Sequence, residues 1–332
     1  MNKSIYNPIL KTIDERPGCP EIVFRQAGDG FVEVVYGRNE ASSNKTIKDI
    51  ILRTIRVVVI NDLIKKKGIE GVIETIPGGE SLMYVFDPLK ITVQSLVEQI
   101  SETENSLCDI TDQVIETRVL KLPITFEHDL IKKAIDKYVK EVNPDAFYCK
   151  NGSNLEYIAE YNGITVDDLK RRFIETEWFV SMVGFFPGLP YYYPLNPASA
   201  ITCPKYNPAR TWTPEGAVDL ADYCSTIFGV ESSGGCQLVG RTVPIFQAKP
   251  VHKQFEKSPA LFRPTDIIKF YEVSGQQIDE IYELVGKGEW EYVTEKRTFS
   301  VKEWLEYYKC NEPDMKELQK KQAEARKKMQ SV

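Results

Sequence analysis

Residues 202–216 read TCPKYNPARTWTPEG, a stretch interrupted by three prolines. Proline fixes its own φ, lacks a backbone N–H donor and keeps the preceding residue out of the helical region. Cys203, Asn207 and Thr213, which precede the prolines, are therefore expected to be extended in a stiff, non-helical loop. The loop lies within residues 177–272, where short β-type runs broken by Gly and Pro predict a closed β-barrel or a sandwich.

A second segment, residues 233–242, reads SGGCQLVGRT. Lys205, Arg210 and Arg241 lie in these two segments among amide, hydroxyl and aromatic side chains. Arginine can bind a carboxylate through two hydrogen bonds and lysine acts as a compact charge, so this chemistry suits a small anionic or carbonyl-bearing ligand. The alternative is that the three cations are solvated or paired with nearby acids.

The composition is that of an ordinary globular protein. The chain has 332 residues, long enough for two or three domains, and a net charge of -6. An acidic balance gives no electrostatic footprint for nucleic acid or for an anionic membrane surface. The N-terminus lacks the apolar core of a signal peptide, and apolar runs such as residues 57–60 are too short to span a bilayer. A cytoplasmic protein without nucleic-acid or membrane partners is expected.

The seven cysteines are scattered and form no Cys-x-x-Cys pair, so most are expected to be reduced and structural. His128 and His252 are the two histidines. They lie far apart in the sequence, and a structural or surface role is expected for each in preference to general-base catalysis. No metal site is predicted.

An N-terminal extension, residues 1–20, precedes a region of alternating strands and helices. Asp29 between two glycines suits the tight turn of a hairpin formed by residues 22–24 and 31–36. A helix over residues 45–67, strands over 71–76 and 81–86, a helix over 92–102 and a strand over 114–122 follow. This pattern predicts a ferredoxin-like α+β domain over residues 21–125.

A helical connection is predicted over residues 126–176, with helices at 128–142, 155–161 and 166–176. A helical C-terminal extension over residues 273–332 follows the barrel domain, and its last helix, 315–330, is expected to be solvated. Within the barrel domain, residues 184–193 read GFFPGLPYYY. The three tyrosines could line a ligand pocket, but the preferred interpretation is a loop that covers the end of the barrel.

Residues 205–218, KYNPARTWTPEGAV, resemble the signature of the carboxyltransferase domain of urea carboxylase, and residues 234–242, GGCQLVGRT, resemble a second signature of that domain. Both belong to the half related to KipI, allophanate hydrolase subunit 1 and the B component of 5-oxoprolinase. The resemblance extends over about residues 21–308. It implies a ferredoxin-like part followed by a cyclophilin-like β-barrel, in an α+β protein.

The function implied by this resemblance is that of one subunit of a biotin-dependent carboxyltransferase complex. Such a subunit helps to move the carboxyl group of carboxybiotin to a urea-like or other small amide or nitrogen acceptor. Residues 184–193 instead resemble a Phe-x-Pro-Gly-x-x-Tyr loop of the stand-alone B-component proteins. Two alternatives therefore stay open: the B component of an ATP-dependent 5-oxoprolinase, and a non-catalytic KipI-like inhibitor of a histidine kinase.

The resemblance also implies partners. The sequence has no ATP-grasp or P-loop signature and no Ala-Met-Lys-Met biotinylation site. Biotin is therefore expected on a partner subunit, and ATP is expected to be used on a partner subunit. The expected partners are a sister carboxyltransferase subunit of the KipA or allophanate hydrolase subunit 2 type, a biotin carboxylase and a biotin carrier protein.

The candidate catalytic residues are Lys205, Arg210 and Arg241, which would stabilise negative charge on the carboxyl group or on the ureido oxygen. Glu215 could bind an NH2 group of the acceptor, although an ion pair with an arginine is the preferred interpretation. Gly240 is expected to permit close approach of two backbones. The remaining predicted substrate-binding residues are Asn207, Thr211, Gln237, Gly188, Tyr191 and Tyr206.

Overall fold

The computed structural model describes residues 7–37, 46–107 and 109–330. The chain divides into two compact units, Met1–Glu116 with Thr298–Trp304, and Thr117–Arg297 with Leu305–Val332. Strands and helices are mixed along the chain, so the predicted α+β class is confirmed. The domain boundaries proposed from the sequence remain predictions. None of the helices in the described ranges is both long and apolar enough to cross a membrane.

A five-stranded antiparallel sheet forms the first unit, in the order β1-β2-β3-β5-β4. Its strands are β1 (Ile9–Ile13), β2 (Ile22–Gln26), β3 (Phe31–Tyr36), β4 (Val72–Gly78) and β5 (Ser81–Phe86). The predicted hairpin is present, because Ile22 pairs with Tyr36 and Gln26 with Val32. Helices α1 (Ile47–Lys67) and α2 (Val93–Ser106) follow β3 and β5.

Helix α1 has strong local start and stop signals. The side chain of Thr46 accepts a hydrogen bond from the Asp49 amide, and the Asp49 carboxylate accepts one from the Thr46 amide. This reciprocal capping box satisfies two amide donors at the helix start. Gly68 ends the helix in the left-handed conformation, which glycine adopts without steric cost.

The strand predicted to complete a ferredoxin-like domain pairs elsewhere. Strand β6 (Val114–Thr125) lies in the sheet of the second unit, next to β13 (Gln237–Thr242) and β14 (Ile267–Glu272). The ferredoxin-like arrangement is therefore not confirmed. The sequence pattern showed the alternation of strands and helices, but it carried no information about which sheet β6 joins.

The second unit contains a closed barrel of seven strands in the order β13-β10-β11-β8-β7-β14-β6, closed by pairing of β6 with β13. Strand β15 (Val293–Ser300) also neighbours β6. The other barrel strands are β7 (Trp178–Val183), β8 (Pro190–Pro194), β10 (Ala217–Ala221), β11 (Cys224–Ile227), β13 (Gln237–Thr242) and β14 (Ile267–Glu272). A separate two-stranded ribbon pairs β9 (Arg210–Thr213) with β12 (Ser232–Gly234).

The barrel interior is apolar, and alternate residues of each strand face outward. Val218 and Leu220 of β10 belong to the main core with Trp178, whereas Ala217 packs in a different cluster with residues of a flanking helix. The tyrosines at 191–193 lie in strand β8 and not in a loop, so the prediction of a covering loop was wrong for them. Tyr192 points into the core, because strand alternation turns it away from its two neighbours.

Gly240 lies where β13 meets β6. A Cβ atom placed on Gly240 would lie 2.3 Å from the carbonyl oxygen of Thr125, a distance that real Cβ atoms do not reach. The neighbouring pair Arg241–Thr125 is part of the register that closes the barrel. The close backbone approach predicted for Gly240 is thus present, and it occurs at the closing seam.

Three helices follow β6 as predicted: α3 (Asp129–Glu141), α4 (Leu155–Asn162) and α5 (Val166–Glu175). The C-terminal helices are α6 (Gly275–Lys287), α7 (Val301–Cys310) and α8 (Glu312–Gln330). Helix α8 was predicted to be solvated, but one of its faces packs against α4. The Gln322 side chain is buried and donates to Asn162 Oδ1 and to the Ala200 carbonyl, both at 2.9 Å.

Candidate functional site

The loop before β9 alternates exposed and buried side chains. Lys205 and Asn207 are exposed, whereas Tyr206 and Arg210 are buried. The Tyr206 amide donates to the Gly235 carbonyl at 2.6 Å, which attaches the loop to the segment before β13. The two segments singled out in the sequence therefore lie side by side, and Lys205 is the cation of the predicted set that faces solvent.

Arg210 is 1% exposed and lies beneath this loop. Its Nη1 donates to the Cys236 carbonyl, and its Nε and Nη2 each lie 3.3 Å from Thr213 Oγ1. The guanidinium carbon lies 4.4 Å from the centre of the Tyr206 ring, within the range of a cation–π interaction. Arg210 therefore contributes a fixed, buried positive charge and cannot itself meet a ligand without rearrangement.

Arg241 lies in a different cluster. Its guanidinium stacks on Tyr282 at 3.8 Å, and its Nε donates to the Glu215 carbonyl at 3.3 Å. Its Nη1 lies 3.4 Å from Asp279 Oδ1 and 3.2 Å from His128 Nε2. Arg241 thus forms its ion pair with Asp279. Glu215, for which an ion pair with an arginine was the preferred interpretation, contacts Arg241 through its backbone carbonyl instead.

His128 joins this cluster as the N-cap of α3. Its Nδ1 accepts from the Leu130 amide at 3.2 Å, and this fixes the neutral tautomer with the proton on Nε2, facing Asp279 Oδ1 at 3.1 Å. Burial, reinforced by the charge of Arg241, lowers the pKa of His128. The lone pair that a general base would need is therefore occupied, consistent with the structural role expected for this histidine. His252 likewise caps a short 3-10 helix.

The other predicted binding residues are divided between several surroundings. Gln237 is buried and donates to the Pro204 carbonyl at 3.0 Å, while its Oε1 has no partner among the described residues. Thr211 is exposed, and the carboxyl of Glu215 has a pKa raised by burial. Gly188 lies between β7 and β8, has a positive φ and packs against Phe246. Tyr191 lies in β8.

A cavity of about 280 Å³ is lined by residues that contact members of the two arginine clusters. His128, which contacts Arg241, forms part of its wall, and so does Asn154. The Asn154 Oδ1 accepts from the Tyr206 hydroxyl at 2.6 Å, and Tyr206 stacks on Arg210. His128 thus connects the cavity to the Arg241 cluster, and Asn154 connects it to the Arg210 cluster. Neither arginine lines the cavity itself.

Sequence reasoning missed several members of these clusters. Asp279 and Tyr282 lie three residues apart on α6, a spacing that places both on one helix face. Asp219 is a fully buried acid in the apolar strand Ala217–Ala221, where a charged residue is unexpected and could have been noticed. Asn154 precedes α4 but its side chain caps no amide of that helix, because it is used for Tyr148, Tyr206 and Leu238.

Comparison with known proteins identifies relatives that match most of the chain. The urea amidolyase of Saccharomyces cerevisiae is 30% identical over 321 residues, which are 96% of this chain and 17% of that protein. The B component of the Bacillus subtilis 5-oxoprolinase is 26% identical over 219 residues, covering 64% of this chain and 80% of that protein.

The crystal structure of Kluyveromyces lactis urea carboxylase has a similar fold, with a TM-score of 0.80 and 26% identity. The match covers 97% of this chain and 28% of that one, so the chain spans about a quarter of this relative. Residues 23–255 match the family model described as the carboxyltransferase domain, subdomain C and D. The chain therefore belongs to the carboxyltransferase family defined by subdomains C and D.

Proposed function

We propose that the chain is one half of the carboxyltransferase of a biotin-dependent carboxylase, acting on urea or a similar small nitrogen acceptor. The observation that carries the proposal is the arrangement on the signature loop, where exposed Lys205 precedes Tyr206 and the buried guanidinium of Arg210. A fixed buried charge together with an accessible one suits a site in which negative charge develops on a carboxyl group.

Each residue of the loop has a distinct role in this proposal. Lys205 contacts the incoming carboxylate, because its ammonium group is exposed and can reorient. Arg210 acts at longer range by lowering the free energy of negative charge beside Tyr206. Asn207 and Thr211 are exposed on the same loop and offer an amide and a hydroxyl to the carboxylated group.

The side chains of this loop fit a carboxylated ureido group. Such a group presents acceptor oxygens, and Lys205 and Asn207 supply donors at the surface. Gly235 faces the stem of Lys205: a Cβ atom there would lie 3.9 Å from Lys205 Cβ, so glycine leaves this space free. When bound, carboxybiotin supplies an activated carboxyl group. Lys205 and Asn207 would hold it, and Gly235 would leave room for it.

The acceptor is proposed to occupy the cavity lined by His128 and Asn154. Its volume of about 280 Å³ is large for urea, so water or part of a larger acceptor could share it. Lys132 and Ser153 also line it, and together these side chains provide both donors and acceptors. Arg241 is proposed to stabilise charge from behind His128.

The proposal is tested by reconstitution with a biotin carboxylase, a biotin carrier protein and the sister carboxyltransferase subunit. ATP turnover with bicarbonate would be measured with urea, guanidine and 5-oxoproline in turn. We expect Lys205→Met to lower acceptor-dependent turnover roughly 100-fold, the usual size of a lost charge-stabilising contact. Lys249→Met, at another exposed lysine of the same unit, is the matched control and should keep full turnover. Unchanged turnover in Lys205→Met with every acceptor would refute the proposed site.

A second candidate is the B component of a 5-oxoprolinase. It is favoured by the match to the Bacillus subtilis protein, because the aligned region includes 80% of that relative. In this case ATP turnover in the presence of the lactam-handling partner would depend on 5-oxoproline and not on bicarbonate or on a biotinylated polypeptide. The same reconstitution therefore separates the two candidates.

A further inference from the structure

Arg210 carries a buried charge that has only neutral hydrogen-bond partners. Its guanidinium contacts the Cys236 carbonyl, the Thr213 hydroxyl and the face of Tyr206. Across the described residues, no carboxylate oxygen lies within 4.0 Å of it. A buried cation is costly unless a negative charge compensates it, even when the two do not touch. A nearby buried anion is therefore to be expected.

Asp219 is a buried acid, one of whose carboxylate oxygens has no hydrogen-bond donor among the described residues. It lies on β10 and is fully buried. Its Oδ1 accepts from the Thr226 hydroxyl at 2.6 Å and from the Thr226 amide at 3.2 Å. Its Oδ2 has no hydrogen-bond partner in the part of the chain that the structure describes. A buried carboxylate oxygen without a donor needs another source of stabilisation.

Cys236 connects the two charges. Its carbonyl accepts the hydrogen bond from Arg210, and its thiol interacts electrostatically with the Asp219 carboxylate. Cys236 directly precedes β13, the neighbour of β10, and Leu238 of β13 pairs with Asp219. The pairing therefore places Asp219 on the strand next to the segment whose carbonyl accepts the hydrogen bond from Arg210.

We propose that Asp219 is a positioning residue whose ionised carboxylate is the counter-charge that keeps Arg210 seated on Tyr206 and on the Cys236 carbonyl. In this arrangement Asp219 acts through Arg210 and does not touch the substrate. Loss of its charge leaves the guanidinium uncompensated, so the loop that carries Lys205 loses its fixed support. The link to catalysis depends on the proposed function, whereas the coupling of the two side chains does not.

The ionisation of Asp219 can be distinguished from that of the groups around it. Burial raises the pKa of Asp219 to about 6, against the smaller opposing effects of Thr226 and Arg210. The neighbouring groups that interact with its charge are Tyr191, Tyr192, Cys203, Cys224 and Cys236, and burial raises the pKa of each. These stay neutral between pH 5 and pH 8, and Lys205 and Arg210 are the cations nearby. Asp219 is therefore the member of this cluster that changes charge in that range.

The coupling can be measured by NMR on the full chain labelled with 15N-arginine. The Arg210 Nε–H signal is assigned by its loss in Arg210→Lys and is followed from pH 7.5 to pH 5. We expect it to shift or broaden with a midpoint near pH 6. In Asp219→Asn this transition should be absent. Asp222→Asn is the control, because Asp222 is an exposed acid in the adjoining β10–β11 turn, and it should keep the wild-type midpoint.

A persistent transition in Asp219→Asn, or an Arg210 signal that does not respond to pH in the wild-type chain, would overturn the proposal. If Asp219→Asn does not fold, Thr226→Val provides a second test, since it removes a hydrogen bond to the ionised carboxylate. Its midpoint should rise by roughly one pH unit, the change expected for one charge-assisted hydrogen bond; an unchanged midpoint would contradict the proposal.

The NMR result does not require turnover or partner subunits. A failure of the coupling is thus distinguishable from a failure of the proposed carboxyltransferase function. If both hold, turnover of the reconstituted complex should fall below about pH 6 in Asp222→Asn as in the wild type. In Asp219→Asn turnover should be low throughout, with that pH dependence lost.

Discussion

Arg210 and Arg241 were assigned one role from the sequence, and their surroundings differ. Arg210 is surrounded by neutral oxygens and an aromatic face, whereas Arg241 has Asp279 as an ion-pair partner. The same residue type therefore has an ion-pair partner in direct contact in one place and, in the proposal above, a counter-charge, Asp219, that does not touch it in the other.

His128, which contacts Arg241, gives a pH-dependent prediction. Burial lowers the pKa of His128, so the unfolded chain takes up a proton there more readily than the native protein. The contribution of His128 to stability is complete above the unfolded pKa of about 6.5 and is lost as the pH falls through the lower folded value. We expect the free-energy difference of unfolding between wild type and His128→Asn to decrease from pH 7.5 to pH 5.5.

The measurement is denaturant unfolding of both proteins at several pH values in this range. Asparagine keeps an acceptor for the Leu130 amide, so the comparison isolates the titrating ring. Thr165→Asn is the control, because Thr165 caps α5 through a hydroxyl that does not titrate. A difference for His128→Asn that is as independent of pH as that of the control would contradict the prediction.

Among the elements, the pairing of β6 with β13 decides whether the barrel closes. Gly240 permits this pairing because a side chain would collide with the Thr125 backbone. We expect Gly240→Ala to lower the free energy of unfolding by about 2–4 kcal/mol, since backbone atoms cannot yield as a flexible side chain can. The change in the midpoint of urea unfolding would measure this effect.

Gly286 offers the matched substitution in the same unit. It lies in helix α6, and a Cβ there would meet no atom within 4 Å. Gly286→Ala should therefore stabilise the protein by about 0.5 kcal/mol through reduced backbone freedom of the unfolded chain. Equal effects of the two substitutions would show that the closing seam tolerates a side chain.

The helices and strands were easier to predict from the sequence than the pairing of one strand with another. The capping residues Thr46, Thr165 and Ser274 begin helices because their hydroxyls accept a hydrogen bond from an amide three residues later. Such signals are local, and they mark where a helix begins. The pairing of β6 with β13 and β14 depends on residues more than a hundred positions away, so no local pattern indicates it.

At the scale of the whole molecule, the chain corresponds to a part of larger relatives. It covers 17% of the Saccharomyces cerevisiae urea amidolyase and 28% of the Kluyveromyces lactis urea carboxylase structure. The proposed function therefore concerns the matched part of these relatives and not their whole activity. The barrel unit, with its loop around Lys205, would then be the part that receives the carboxyl group.

Partner capture tests this arrangement in the organism's own extract. We expect the endogenous chain, isolated under gentle conditions, to bring down a biotinylated polypeptide that streptavidin detects on a blot. Chain carrying Lys205→Met should capture the same polypeptide, because one exposed side chain contributes little to a protein interface. Absence of biotinylated protein, together with capture of a lactam-processing partner, would favour the 5-oxoprolinase candidate.

The sequence by itself determined the positions of most helices and strands, the non-helical conformation of residues 202–216 and membership of the family, because these depend on neighbouring residues and on short motifs. The tertiary structure alone decided that β6 closes the barrel, that His128 and Asp279 meet Arg241, and that Asp219 is fully buried on the strand next to β13. The physical reason is that such contacts are set by strand register and by burial. Both arise only when distant segments pack together, and only then does a buried charge find, or fail to find, its partner.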